Sequence, residues 1–391
     1  MTTITPLPPL GAPKQALHLA DERDYLLELA QDVPDVISLG LGDPDFATPA
    51  HIVQAAQGAL RDGRCDRLTD PAGLIELRRA IGAKLARVNG LRAEPATEIT
   101  VTTGGQEGLY VLIQAILDPG DEILVPDPRY SSYDAAIARA GGVLVSVPTT
   151  EAENFALDPA EVERRITPRT KALLLVTPGN PTAAVIPPAT LRRLAEIAQE
   201  HDLLVISDEI YEYYVYSGSE HLSIGSLPGM AERTITLNGF SKAYAMTGWR
   251  LGYVVAPPAI TQAIRAIKMQ VSIVAPAVSQ WAGIAALTGP QDCIPAMREE
   301  YDRRRLALMT ALTESGYTYG YPSGAFYIFT NISHTGLPAF ELSRKLLTEA
   351  KVLIFPGTGF GEAWGDYMRF SLLQPIPVLR EAVERMNRVL R

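Results

Sequence analysis

From about residue 97 onward, short β-branched or apolar runs alternate with amphipathic stretches. Seven runs have the length of strands: Ile99 to Thr102, Glu122 to Val125, Val143 to Val147, Ala172 to Val176, Leu203 to Ser207, Thr234 to Leu237 and Leu251 to Val255. Between the fourth and fifth, Pro188 to His201 sets Leu191, Leu194, Ala195 and Ala198 at helical spacing, so those two strands flank a crossover and run parallel. The pattern predicts an α/β fold around a mostly parallel seven-stranded sheet. A long apolar helix is expected near Ala259 to Leu287, ending at Gly289-Pro290. A charged helix (Arg298 to Ser315), new strands and a last helix follow. The first dozen residues are rich in Pro and Thr and read as an extended arm placed to reach a partner subunit. A helical pattern from about Gln15 to Ala30 comes next. The division expected is an arm and part of a small domain over 1–45, a large domain over 46–290, and a small C-terminal α+β domain over 291–391.

The length of 391 residues exceeds what one hydrophobic core usually serves, in keeping with two domains. A net charge of -9, with no basic run, argues against a nucleic-acid partner and for a small soluble ligand. Cys65 and Cys293 are too few for a disulfide framework and lack metal-site spacing, which suits the cytoplasm. Neither a signal peptide nor a membrane span is expected.

In open parallel sheets, ligands bind beyond the carboxyl ends of the strands, and four strand ends carry chemistry. After Thr102, the turn Thr103-Gly104-Gly105-Gln106 opens a helical pattern, where free N–H groups favour a phosphate. After the fourth strand comes Thr177-Pro178-Gly179-Asn180-Pro181, and after the fifth Ser207-Asp208-Glu209-Ile210-Tyr211. Asn180, Asp208 and Tyr211 can therefore converge on one pocket mouth. A helix N-cap is an equally good reading of Asp208 by itself. After the sixth strand, Lys242 stands in Gly239-Phe240-Ser241-Lys242-Ala243-Tyr244-Ala245-Met246-Thr247-Gly248-Trp249-Arg250, among aromatic and apolar neighbours. A desolvated lysine of this kind becomes a Schiff-base nucleophile.

The Lys242 segment resembles the lysine attachment signature of class I pyridoxal-phosphate aminotransferases, with Arg250 eight residues beyond the lysine. The similarity extends from Leu41-Gly42-Asp43-Pro44-Asp45-Phe46 through Asn180-Pro181-Thr182 and Ser207-Asp208-Glu209 to Tyr367-Met368-Arg369-Phe370. It most resembles the aspartate and aromatic aminotransferase group, which use 2-oxoglutarate as acceptor. The resemblance implies fold type I, pyridoxal 5'-phosphate as cofactor, and a homodimer with sites at the subunit interface. It gives Lys242 the cofactor, Asp208 the pyridine nitrogen, and Asn180 and Tyr211 the ring hydroxyl oxygen. Tyr130 takes the ring face, and Gly104, Gly105, Gln106, Ser241 and Arg250 take the phosphate. Arg369 takes the substrate α-carboxylate, with Gly42 beside the bound substrate.

Two positions depart from the pattern. Leu68 stands where the family often has a Tyr that reaches the neighbouring subunit's cofactor phosphate, and Ala183 replaces the usual Gly after Asn-Pro-Thr. Other pyridoxal-phosphate outcomes, namely β-elimination, decarboxylation or oxidation, stay open on fold and motifs. A dinucleotide site at Gly357-Thr358-Gly359-Phe360-Gly361 is disfavoured, since too little chain follows for a βαβ unit. An effector-sensing regulator is disfavoured because fewer than fifty residues precede Gly42 and the chain is acidic. No metal site is expected.

Overall fold

The computed structural model describes residues 14–216 and 218–390, with side chains from residue 22. The expected N-terminal arm lies outside them. All seven strand runs are present, each end within two residues of expectation. They form one sheet in the spatial order Ile99–Thr102, Gly252–Val255, Thr234–Gly239, Leu204–Asp208, Thr170–Val176, Glu122–Asp127, Val143–Pro148. Gly252–Val255 is antiparallel to both neighbours and the other strands are parallel to one another. The central strands read as unbroken apolar runs because both sheet faces are covered. On one face Leu174, Ile206 and Ile235 pack with Leu109, Leu112 and Ile264 of helices Gly104–Ile116 and Pro258–Val271. On the other, Leu173, Leu175 and Val205 pack with Leu191 and Leu194 of the crossover helix Pro188–Glu200.

A second body is built on an antiparallel sheet ordered Phe355–Pro356, Tyr367–Ser371, Tyr327–Asn331, Thr318–Tyr319, backed by helices Cys293–Glu314 and Ile376–Leu390. Both chain ends contribute to it. Ile37–Ser38 pairs in parallel with Val352–Leu353, and Leu26 of helix Lys14–Gln31 packs with Leu347, Leu353 and Phe355.

The structure corrects two expectations about helices. The apolar stretch near Ala259 to Leu287 is two helices, Pro258–Val271 and Ala277–Thr288. The chain turns between them, with Ile273 at φ 62 and Pro276 capping the second helix. Proline drives its preceding residue out of the helical region and offers no N–H, so an apolar period can continue across a break in the backbone. The charged helix also begins earlier than expected, at Cys293 instead of Arg298.

Candidate active site

A cavity of about 340 Å³ opens where the carboxyl ends of the large sheet face the smaller body. Eleven of the twelve residues singled out above line it: Gly42, Gly105, Gln106, Tyr130, Asn180, Asp208, Tyr211, Ser241, Lys242, Arg250 and Arg369. Gly104, the twelfth, lies just behind the wall. It has φ +74, and a Cβ there would meet the Arg250 guanidinium at 2.6 Å, so only glycine lets that cation sit over the turn. The helix Gly104–Ile116 starts at this point, presenting its first N–H groups beside Ser241 and Arg250.

Asp208 is the last residue of its strand and is 8 % exposed. No helix begins after it, which removes the N-cap reading. Tyr133 Oη donates to Asp208 Oδ2 (2.8 Å) and the Ile210 N–H donates to Oδ1 (3.2 Å). Burial pushes its carboxyl up to about 6, against the opposing pull of the Tyr133 hydroxyl. Lys242 Nζ donates to the Gly42 carbonyl at 2.6 Å. Burial lowers its amine to about 8; the nearby carboxylate of Asp43 opposes this, while the Arg369 and Arg250 charges reinforce it.

Arg369 is 6 % exposed and its guanidinium is held on several sides. Nη1 donates to Asn180 Oδ1 (2.9 Å), Nη2 donates to the Gly40 carbonyl (2.5 Å), and the rings of Tyr327 and Phe360 lie 4.2 and 4.8 Å from Cζ. Its Nε is buried with no protein partner. Tyr211 Oη shares a 3.1 Å hydrogen bond with Tyr327 Oη, and a Cβ on Gly42 would strike that same Tyr327 hydroxyl.

Tyr133, Tyr327, Phe360, Thr247, Glu22 and Arg23 also face the cavity and were not singled out in the sequence. Tyr133 carried a faint local signal, one helical step from Tyr130; Tyr327 sits in an apolar strand whose period says only that it is buried. Behind Asp208 lies a buried polar network. Lys84 pairs with Glu212, Asn89 Nδ2 donates to Glu209 Oε2 (3.1 Å) and Glu212 Oε2 (2.6 Å), and Ser223 Oγ donates to Glu209 Oε2 (2.6 Å). His221 Nε2 stands 3.3 Å from Glu209 Oε2.

The geometry thus joins an anion seat, a buried carboxylate, a low-pKa amine and a caged guanidinium in one cavity. Residues 34–386 match the family model described as aminotransferase class I and II. The chain belongs to that family. This aminotransferase is 42% identical over 368 residues to aromatic-amino-acid aminotransferase 2 of Thermococcus litoralis, and 44% identical over 368 residues to the aspartate aminotransferase of Pyrococcus abyssi. Each match covers 94% of both chains. It also superposes on the aspartate aminotransferase from Thermus thermophilus with maleate, at TM-score 0.90 and 41% identity over 97% of this chain and 100% of that one. The aromatic aminotransferase from Pyrococcus horikoshii gives TM-score 0.89 at 44% identity, covering 93% and 98%. The protein is an enzyme that transfers amino groups, in a family that depends on pyridoxal phosphate. Among the described residues no helix is long and apolar enough to cross a membrane.

Proposed function

We propose that this aminotransferase binds pyridoxal 5'-phosphate through Lys242 and moves the amino group of an L-amino acid to a 2-oxo acid in two half-reactions. The observation that carries the reading is a desolvated amine, a buried carboxylate and a buried guanidinium, all on residues that line one cavity. The residues suit the cofactor. The glycine turn, Ser241 and Arg250 form an anion seat, with space beside Gly105 where a Cβ would meet nothing within 4 Å. Tyr130 would flank the ring face, and Asn180 Nδ2 and the Tyr211 hydroxyl would serve the ring oxygen.

When bound, the cofactor supplies an electron-accepting ring for the electrons left at the substrate Cα. Asp208, oriented by Tyr133 and the Ile210 N–H, would pair with the ring nitrogen and keep it protonated. Arg369 would hold the substrate α-carboxylate, and a carboxylate so fixed would leave Cα–H as the bond to break, favouring proton loss over decarboxylation. Lys242 Nζ, with its lowered pKa, would be the base that takes the Cα proton and gives it back.

Donors are taken to be aspartate or aromatic amino acids, a reading supported by the relatives' names and by the dicarboxylate maleate in one of them. We further propose a cytoplasmic homodimer whose units divide at 1–45, 46–290 and 291–391. Exposed Tyr110, Met269, Val271 and Ile273, on and beside the helix that begins at the phosphate turn, support the dimer. Leu68, the departure from the family pattern, is 74 % exposed and offers no hydroxyl.

The test has two arms. Borohydride treatment of the yellow protein, followed by peptide mapping, is expected to place the reduced adduct on Lys242. An adduct on Lys268, whose Nζ instead donates to the Ile273 carbonyl (3.0 Å), would overturn the assignment. A panel of L-amino acids against 2-oxo acids, read by mass of the oxo-acid product, identifies the substrates. Static light scattering checks the dimer.

A further inference from the structure

Two buried carboxylates stand next to the cofactor-facing residues and have no part in the reading above. The strand Leu204–Asp208 runs into a turn in which the Glu212 N–H donates to the Glu209 carbonyl (3.0 Å) and the Tyr214 N–H donates to the Tyr211 carbonyl (2.8 Å). Asp208 and Tyr211 face the cavity. Glu209 and Glu212, each the next residue along, are buried and turn into the polar network behind. The turn thus sets its two cavity residues against its two acids.

Two segments far off in sequence, Lys84 to Asn89 and His221 to Ser223, converge on these acids. Glu209 Oε1 accepts from Ser207 Oγ (2.8 Å), and its Oε2 accepts from Ser223 Oγ and Asn89 Nδ2 with His221 Nε2 close by. Glu212 pairs with the Lys84 ammonium, which also donates to Asn89 Oδ1 (2.8 Å), so lysine and amide are locked to each other as well as to the acid. Burial works against the charge on Glu209, but the hydrogen bond and charge of His221, with Ser223 and Ser207, outweigh it and hold the carboxyl below its ordinary range. A buried ionic cluster of this kind contributes little net stability, since apolar groups of the same volume do as well. Each of its bonds fixes a direction, which apolar packing does not.

We propose that Glu209 and Glu212 are positioning residues. Glu209, fixed by His221 and Ser223, sets where Asp208 stands against the cofactor's ring nitrogen; Glu212, fixed by Lys84 and Asn89, sets where Tyr211 stands against the ring oxygen. The inference rests on the cofactor reading of Asp208 and Tyr211. One peptide unit joins each acid to its cavity residue, so a displacement in the cluster is carried straight to the side chain in the cavity. Such contacts have to be held to within about 0.5 Å, which is the service a directional cluster gives. The phosphate seat of Gly104, Gly105, Gln106, Ser241 and Arg250 shares no residue with the cluster.

The experiment uses the full-length chain freed of cofactor and measures, by calorimetry, the binding of pyridoxamine 5'-phosphate and of inorganic phosphate. The first reads the ring contacts without a bond to Lys242, and the second reads the phosphate seat alone. His221→Gln and Lys84→Met are each expected to raise the Kd of pyridoxamine 5'-phosphate about tenfold, the worth of one charge-assisted hydrogen bond, while that of phosphate stays within about twofold. In an Asp208→Asn background His221→Gln is expected to add little, because the charged contact it positions is already gone. His221 lies at the edge of the cluster, 11 % exposed, and its variant decides the matter if Lys84→Met does not fold. Equal losses for the two ligands would mean a general disturbance of the fold, and no loss would mean that the cluster only fills space. A loss undiminished in the Asp208→Asn background would mean that it does not act through Asp208. Each of these results overturns the proposal and leaves the aminotransferase reading intact. A wild type that binds pyridoxamine 5'-phosphate no more tightly than phosphate would instead remove the cofactor reading and this proposal together.

Discussion

Asp208→Asn separates what a buried carboxylate contributes to function from what it costs in stability. In the folded chain the carboxyl titrates near 6 in place of 3.8, chiefly because it is buried. That displacement of about two pH units corresponds to about 3 kcal/mol at ~1.4 kcal/mol each. The folded state holds the proton more tightly than the unfolded state. The contribution is therefore fully present below about pH 4 and is lost as pH rises through about 6. Asparagine removes the charge but has one acceptor oxygen where Asp208 uses two, for Tyr133 and Ile210. Losing one hydrogen bond costs about 1 kcal/mol. The cofactor-free Asp208→Asn protein is thus expected to be about 2 kcal/mol more stable than the cofactor-free wild type at pH 8, about equal to it at pH 4.5, and slightly less stable below about pH 4. Urea unfolding at fixed protein concentration, followed by far-UV circular dichroism at several pH values, gives the two curves. Substrate binding to the variant holoenzyme is expected to persist while proton abstraction slows strongly. Parallel stability curves for the two proteins from pH 4.5 to 8 would refute the argument, since Asp208 would then carry no buried-charge cost.

Arg369→Lys keeps the charge but loses the planar grip, so binding of both amino and oxo acids is expected to weaken by about 1.5–3 kcal/mol with kcat falling as well. Retained cofactor absorbance serves as the control, and unchanged kinetics for every accepted amino acid would place the carboxylate elsewhere. Gly42→Ala drives a methyl into the Tyr327 hydroxyl; it is expected to disturb the Tyr211–Tyr327 pair and lower kcat/KM at least tenfold, ~1.4 kcal/mol, checked by steady-state kinetics. Lys84→Met leaves Glu212 without its buried partner and is expected to cost about 3–5 kcal/mol of stability, measured by urea unfolding of the holoenzyme. Lys242 is lowered to about 8, so its neutral, nucleophilic form accumulates as pH rises through that value. The rate at which the cofactor-free protein takes up pyridoxal phosphate is expected to climb through about pH 8 and level about one unit above it, as read by stopped-flow absorbance; a pH-independent rate contradicts it.

The strands were legible because their signal is local: β-branched and apolar runs such as Ala172 to Val176 and Thr234 to Leu237 favour one backbone state whatever lies beside them. The glycine turn at 104 was legible for the same reason, since a positive φ there is a demand on one residue. Parallel strand ends then brought Asn180, Asp208 and Tyr211 to one edge without further information. Helix continuity was misjudged at 272–276 because apolar period reports burial, and burial continues across a turn.

What only the tertiary structure decided is which distant groups meet. Asp208 is oriented by Tyr133, 75 positions away; Lys242 donates to Gly42 across 200 positions, and Arg369 to Gly40 across 329. No local pattern encodes such pairings, because they arise only when the second body, built from both chain ends, closes over the sheet edge. The same closure lowers the Lys242 amine and raises the Asp208 carboxyl, since desolvation belongs to the assembled cavity and to neither residue alone. The amino acids themselves carried the chemical types of the site, and packing gave them their partners and their working pKa values.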